Sequence, residues 1–577
     1  MRRRFWVVAL IAAFALIAAA CGGTSTTTTE ATTTTAATGT TAATTTTEAM
    51  TTTTEATGPK TVIIGVTDAI SSLDPADAYS TRDWELLKNT GEALYRWAPG
   101  SATDLEPALA TDMPVVSDDG LTYTVTLRDG IKFGDGTDLT APVYANSINR
   151  ALTIGPDCPN GVADALVTPF LKSVEAPDDS TVVFHLNQKV AFFTQLLATG
   201  PYIPADPNIF PDDQCVLFPP APIYGAGPWI ITQYTQQEQV VLEPNPYYNG
   251  DLKPQVDQII VRYYSDPQTM ALALQNGEID VAWRFLGPEL IQQLEGVSGV
   301  NVGIINGGAI RYLILNHTMA PFDDDNVRKA VASVVDRDQL ADQVYSGQVS
   351  PLYSMVPPGF LGANEAFDTM YQSPNMAAAQ QYLTDAGYSE SNHLELEMYY
   401  PPEHYGAETA DWMQVIKQQL EATGMIDVTL NAVEWSTYVT ALTGGEAYPI
   451  GVLGWFFDYP DPSNYLDPFV YNGGEGTNVT EKQEGSTTGV GINDKAQQLV
   501  DLLVQGDTET DQTKRADIYG QAQDLMADLV TTLPLFFEPE HVSFADYIHG
   551  DAMYDSPETL NIGPNIEFNY STLSTDK

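Results

Sequence analysis

Residues 22–58 are mostly threonine and alanine, with almost no large apolar side chain, which confines any folded body to the rest of the chain. A segment with nothing to bury cannot offset the entropy of ordering, about 1–2 kcal/mol per residue. The unit Thr-Thr-Thr-Thr-Glu-Ala recurs at 26–31, 44–49 and 51–56. Low complexity of this kind marks a tether and not a repeat fold, and a Thr-rich stalk is a candidate for O-linked sugars. As a random coil it would span roughly 30–35 Å.

What precedes the tether reads as an export signal. Arg2, Arg3 and Arg4 lead into a hydrophobic run from Phe5 to Ala20, and Ala18, Ala19 and Ala20 precede Cys21. The run is short for a spanning helix, which needs about 20 apolar residues, and the pattern is that of a cleavable signal peptide. Leu16-Ile17-Ala18-Ala19-Ala20-Cys21 resembles a bacterial lipobox, with Ala18 where leucine is usual. The resemblance implies that Cys21 carries lipid and becomes the mature N-terminus. The body is then expected at the outer face of the cytoplasmic membrane or in the periplasm. Cys158 and Cys215 are the only other cysteines. An even pair in an exported chain leads us to expect a disulfide between them, and no His-rich or Cys-rich spacing around them suits zinc.

At 577 residues the chain exceeds a single hydrophobic core, and length points to about two to four domains. There are 25 basic and 75 acidic residues, and residues 1–21 hold three arginines and no acid, so their removal takes the net charge from −50 to −53. Such a surface repels nucleic acid and anionic headgroups and weakly favours cationic ligands. Nucleic acid is therefore not an expected partner.

The body starts near Lys60. Thr61–Val66 is a short β-branched run read as a buried strand. Residues 123–127 alternate in period two, and 181–186, 257–264 and 428–433 read as further strands. Helical periodicity begins at Trp84 and predicts helices over 268–276, 325–346, 376–386, 407–423 and 512–530. Strands and helices alternate, so the fold class is mixed, α/β or α+β.

Several stretches then share one resemblance. Asp118 to Gly136 reads as a turn, an alternating strand, an Arg-Asp-Gly turn and a second Asp-Gly turn after Phe133. Thr140 stands at an N-cap position before Pro142. Gly225-Ala226-Gly227-Pro228-Trp229, Leu274 to Asp280, Asn316 to Arg337 and Gly454 to Pro462 follow in order. Over about 60–550 the chain resembles the family 5 extracellular solute-binding proteins, which serve peptide, nickel and related importers. The resemblance implies a two-lobed periplasmic-binding-protein-like fold with a hinge and an extra inserted domain. Lobe I would comprise 60–100, 225–320 and 531–577, the inserted domain 101–224, and lobe II 321–530. Residues 1–21 would be the signal and 22–59 the tether.

The resemblance also implies ligand contacts. An aspartate in a Trp-x-x-Asp-Tyr segment pairs with the α-amino group in peptide-binding members, which points to Asp458. A carboxylate in a dry cleft holds an ammonium through a charge-assisted hydrogen bond. Trp455 and Tyr459 are expected to wall the cleft, with Asn464 and Tyr465 in the same loop. Asp74-Pro75 would lie at the cleft mouth, bringing Tyr79 and Ser80 to the ligand. Dipeptide binders of the family grip the ligand carboxylate with an arginine after the strand near residue 398. This chain has Tyr399 to Tyr405 there, without arginine, which favours a longer peptide or another solute. His404 reads as a surface residue, with a place facing the cleft as the alternative.

No Gly-x-Ser-x-Gly, Lys-bearing phosphate loop or His-Glu-x-x-His occurs, so no catalytic residue is expected. Asp323-Asp324-Asp325 lacks the glycine and glutamate of a calcium loop and reads as a helix start. No metal or cofactor is expected. The expected role is capture of a peptide by a monomer and delivery to the permease and ATPase subunits of an ABC importer. A nickel chelate, opine or oligosaccharide as ligand, or a surface sensor or adhesin, are the alternatives.

Overall fold

The computed structural model describes residues 59–98, 104–317, 319–402, 404–443, 448–470, 494–550 and 568–577. Cys21 and the Thr/Ala stretch to residue 58 lie outside the described residues. One large sheet runs through the body. From one edge to the other its order is Ile426–Ala432, Leu394–Tyr400, Ile450–Trp455, Val300–Leu315, Thr532–Ala545, Val281–Trp283, Thr61–Val66, Gln258–Tyr263, Gln239–Pro244 and Trp229–Thr235. Ser350–Pro351 adds a short pairing to Thr532–Ala545. Thr61–Val66 lies between two parallel neighbours with Val62, Ile64 and Val66 fully buried, which explains its unbroken apolar run.

The two longest strands, Val300–Leu315 and Thr532–Ala545, join the two halves of this sheet. They pair antiparallel from Val300↔Ala545 to Ile314↔Thr532, and the register slips between Ile305 and Ala309, opposite Glu540 and Glu538. A slip of this kind bends a strand locally, at the point where the sheet passes from one half to the other. Separate cores lie on either side, one around Val62, Trp229 and Phe544 and others around Leu313, Trp412 and Tyr519.

A second sheet, with four strands, is built from Val115–Val116, Thr122–Thr126, Thr181–Leu186 and Leu171–Glu175. Gly120, Gly130 and Gly136 turn the chain at positive φ around its second strand. Its core includes Phe133, Phe184 and Phe193 and takes in Trp84 and Tyr459 from outside the 101–224 stretch. The return at Gly225 and Gly227 is tight. A Cβ at Gly225 would stand 2.2 Å from the Thr90 carbonyl oxygen, and one at Gly227 would stand 2.4 Å from that of Gly91. The glycines are there to let two backbones touch.

Cys158 and Cys215 are joined by a disulfide, with Cα atoms 5.9 Å apart and a sequence separation of 57. Closing a loop of that length restricts the unfolded chain by about 4 kcal/mol in the chain-entropy picture. Cys158→Ser with Cys215→Ser is accordingly expected to cost about 2–4 kcal/mol. Equal denaturant midpoints for oxidised wild type and the double variant would contradict this.

Most helices stand where the periodicity places them: Pro267–Gln275, Met376–Asp385, Glu408–Glu421 and Gln512–Leu529. The helix expected over 325–346 is two, Asp325–Val334 and Arg337–Tyr345. Val335 is extended, and the Asp336 carboxylate caps the second helix by accepting from Gln339 N at 3.0 Å. The start of the first is capped by Asp324, which accepts from Asn326 N at 2.8 Å. Thr140 occupies the N-cap of Ala141–Ile154 without a side-chain capping bond.

Candidate functional site

Strand Ile450–Trp455 ends beside Val300–Leu315, with Trp455 opposite Ile310. The chain then turns through Phe456 to Asp461 and enters the helix Pro462–Val470. This turn faces the loop that follows Thr61–Val66 in the other half of the sheet. Between them lies a cavity of about 1730 Å³. Its walls come from 67–84 and 265–292 on one side and from 343–346, 404–418 and 453–458 on the other.

Asp458 lines this cavity and is 7 % exposed. Tyr79 Oη donates to its Oδ2 at 3.1 Å across the cavity, and Asn464 Nδ2 donates to the same oxygen at 3.0 Å. Among the described residues no hydrogen bond falls on Oδ1. Asn464 also accepts from the Asp458 backbone N–H at 2.9 Å and from Trp455 Nε1 at 3.0 Å. One amide thus fixes the carboxylate, its backbone and the indole. Burial pushes the Asp458 carboxyl up to about 6, partly offset by the bonds from Asn464 and Tyr79 and by the charge of Lys88.

Of the sequence candidates, Tyr79, Ser80, Trp455 and Asp458 line the cavity. Ser80 does so as the N-cap of Thr81–Thr90, its hydroxyl accepting from Asp83 N at 3.1 Å. Asn464 stands behind Asp458 and not on the wall. Tyr459 points away: it stacks on Phe192 at 4.9 Å and bonds Ser463 Oγ at 3.2 Å. Tyr465 is fully buried and donates to Gly308 O at 2.8 Å. Asp74 is also removed from the cavity. It makes a bidentate pair with Arg150 at 2.8 and 2.6 Å and accepts from Val216 N at 2.9 Å.

Several cavity residues escaped the sequence reading. His404 did not: it is an exposed residue that also lines the cavity, stacked flat on Trp435 at 3.5 Å. Desolvation, with Arg311 and Arg284 nearby, lowers its imidazole to about 4, so it is uncharged at neutral pH. Arg284 pairs with Asp68 at 2.9 Å, and Arg311 pairs with Glu538 at 2.6 Å. The ring of Phe456 has these guanidiniums at 5.3 and 5.2 Å. Gly454 leaves room for this, since a Cβ there would meet Arg311 Nη1 at 2.9 Å. An arginine inside the apolar run Ala309 to Leu315 was the available signal, because a buried charge demands a partner. Glu540, at the register slip, is pushed up to about 7 by burial, less the effect of Arg284.

The chain can now be set beside known proteins. Residues 104–477 match the family model for bacterial extracellular solute-binding proteins, family 5. The chain belongs to that family. Family 5 proteins are binding components of transport systems and not enzymes, and this chain is a solute-binding protein of mixed α/β, two-lobed fold. It is 26% identical over 562 residues to the oligopeptide-binding protein OppA of Bacillus subtilis, covering 93% of this chain and 94% of that one. It is 25% identical over 504 residues to the dipeptide-binding protein DppE of the same organism, covering 84% and 88%. The Helicobacter pylori periplasmic binding protein DppA, solved with the peptide STSA, superposes with a TM-score of 0.73 at 22% identity, covering 90% of this chain and 98% of that one. Among the described residues no helix is long and apolar enough to cross a membrane.

Proposed function

We propose that this solute-binding protein captures peptides in the cavity between its lobes and passes them to the permease of an ABC importer. The observation that carries the reading is the Asp458 carboxylate: buried on the cavity lining and, among the described residues, hydrogen-bonded through Oδ2, which leaves Oδ1 for a ligand ammonium. The peptide-binding relatives support the same ligand class. A ligand longer than a dipeptide fits best. The cavity of about 1730 Å³ exceeds the roughly 300–1,000 Å³ typical of drug-sized ligands, and no arginine follows the strand Leu394–Tyr400. Lobe I is assigned to 60–100, 225–320 and 531–577, the inserted domain to 101–224 and lobe II to 321–530, with the paired strands Val300–Leu315 and Thr532–Ala545 as the hinge. Lipid on Cys21 and the tether would hold a monomer at the membrane surface. Native mass spectrometry of purified protein, with identification of the released ligand, tests the reading. Recovery of a non-peptide solute as the sole occupant would overturn it.

The reading also sets a pH dependence. An ammonium binds the ionised carboxylate and lowers its pKa in the complex, so binding displaces a proton wherever free Asp458 is protonated. With the free group near 6, affinity should be level from pH 7 upward until the ligand amine itself titrates. Below pH 6 it should fall about tenfold per unit. Calorimetry at pH 5 and pH 7 checks the sign, and tighter binding at pH 5 would exclude Asp458 as the amine anchor.

A further inference from the structure

The cavity wall that includes 404–418 ends in a column of stacked rings. Tyr399, Tyr448, Tyr438, Trp435 and His404 follow one another, with centroids 4.3, 5.1, 6.3 and 3.5 Å apart and planes within 25° of parallel. Tyr438 anchors the column: it is fully buried, and its hydroxyl donates to Val452 O at 2.9 Å and accepts from Val452 N at 2.8 Å. Trp435 is half-buried and His404, the last ring, is exposed; both line the cavity. Tyr405 stands across the column, 4.6 Å from His404 at 77° and 5.7 Å from Trp435 at 76°. A ring lying on the far face of the imidazole would be farther from the indole by the full stacking distance, so Tyr405 flanks the column and leaves that face open.

Packing accounts for the buried rings. It does not account for an exposed imidazole held flat at the cavity end of the column, with burial of its outer face still to be gained. The opposite wall shows a second irregularity. Arg284 and Phe285 are consecutive, line the cavity and both have positive φ, 67° and 55°. That region costs a bulky residue energy and is found at ligand clamps among other functional sites. Phe285 is half-buried, and the Arg284 guanidinium lies 4.7 Å from its ring. His404 feels the same guanidinium: desolvation, then the charges of Arg311 and Arg284, lower its imidazole. A ring is thus presented from each wall beside one arginine. Both arginines already hold carboxylates, Asp68 and Glu538, so an anion finds no free counter-charge, and their own sign disfavours a cation.

We infer that an uncharged aromatic side chain of the ligand stacks on the open face of His404, with Phe285 as the ring on the opposite wall. His404 is then a specificity-determining residue, selecting peptides that carry phenylalanine, tyrosine or tryptophan at one position. Because the column is fixed at Tyr438, the shelf is set before the ligand arrives, and little ordering of the protein opposes binding. Contacts from both walls to one side chain would favour the closed form. The inference rests on the peptide-binding reading and narrows it.

The test is calorimetry on the full chain with alanine pentapeptides that carry phenylalanine at position 2, 3, 4 or 5. Each is matched by a peptide with cyclohexylalanine, which has a similar size and no π face. At one position phenylalanine should bind about three- to tenfold tighter than its match. His404→Ala should abolish that preference, His404→Phe should retain it, and Phe285→Leu should reduce it. NMR on protein with labelled histidine, of which the chain has six, reads the contact itself. The His404 ring signals, identified by their absence in His404→Ala, should move upfield with the phenylalanine peptide and less with its match. Equal affinities within every pair would overturn the inference and leave the peptide reading standing. A preference that survives His404→Ala, without the upfield shift, would overturn it in the same way. No binding of any peptide would overturn both. If a variant does not fold, the wild-type preference and the ring shift decide.

Discussion

Asp458→Ala should weaken peptide binding by about 2–5 kcal/mol, the range for truncating one partner of a buried, hydrogen-bonded charge pair. Much of that loss would be the cost of a ligand ammonium enclosed without a counter-charge. The variant should fold well. The carboxyl is nearly buried and its pKa is raised by burial to about 6, so the free protein gains little from its charge. Asp458→Asn separates charge from shape. The amide oxygen can still accept from Tyr79 and Asn464, which now bond Oδ2 at 3.1 and 3.0 Å, while the net charge is gone. Both variants should lose affinity to a similar extent and should lose the steep decline below pH 6. An Asn variant that binds like wild type would show that the carboxylate acts as a hydrogen-bond acceptor and not as a counter-ion. Unchanged affinity in both would remove Asp458 from the site.

The segment around Asp458 shows what sequence can and cannot convey about such a site. Aspartate between aromatic residues pointed to the correct turn, because Trp455 and Asp458 both reach the cavity. Their neighbours went elsewhere for a reason that only tertiary packing supplies. Tyr459 turns from the cavity because Phe192, some 270 positions earlier, offers it a stacking face at 4.9 Å. Asn464 serves from behind because the helix Pro462–Val470 folds back on the turn. The regular elements were legible where one period dominates, as in Thr61–Val66 or Gln512–Leu529. The break at Val335 and Asp336 was not, since apolar spacing continues across it and only the capping bond to Gln339 marks the second start. The joining strands were missed for a related reason. Thr532–Ala545 passes between cores on either side of the register slip, so no single alternation runs its length. His404 reads as surface or cleft and is both, exposed on the cavity lining and stacked on Trp435 from another element.

Breaking the ion pair behind the ligand turn should cost the fold more than any other single change considered for this protein. Arg515 and Asp461, each with a side chain 2 % exposed, meet bidentately at 2.5 and 2.7 Å. Arg515 Nε also donates to Gly506 O at 2.7 Å, and Nη2 donates to Tyr519 Oη at 3.1 Å. Asp461 in turn starts the helix Pro462–Val470 by accepting from Ser463 N at 3.0 Å. Two further carboxylates crowd the same spot. Burial, then Asp507 and Asp461, push Asp467 well above the usual carboxylate range, and Arg515 is the charge that opposes this. Arg515→Leu would leave Asp461 charged, buried and next to other acids, at an expected loss of about 3–5 kcal/mol in unfolding free energy. Adding Asp461→Asn should restore part of it, because the amide keeps the helix cap and removes the stranded charge. Denaturant unfolding of the two variants measures both effects. If the double variant is less stable than Arg515→Leu alone, the damage is lost packing of the arginine stem and not an uncompensated carboxylate. Asp461 lies three residues beyond Asp458 in the same turn, so the single variant should also loosen peptide binding, though less than Asp458→Ala does. The pair therefore couples the stability of one lobe to the aim of the proposed anchor, and the ratio of the two affinity losses measures that coupling.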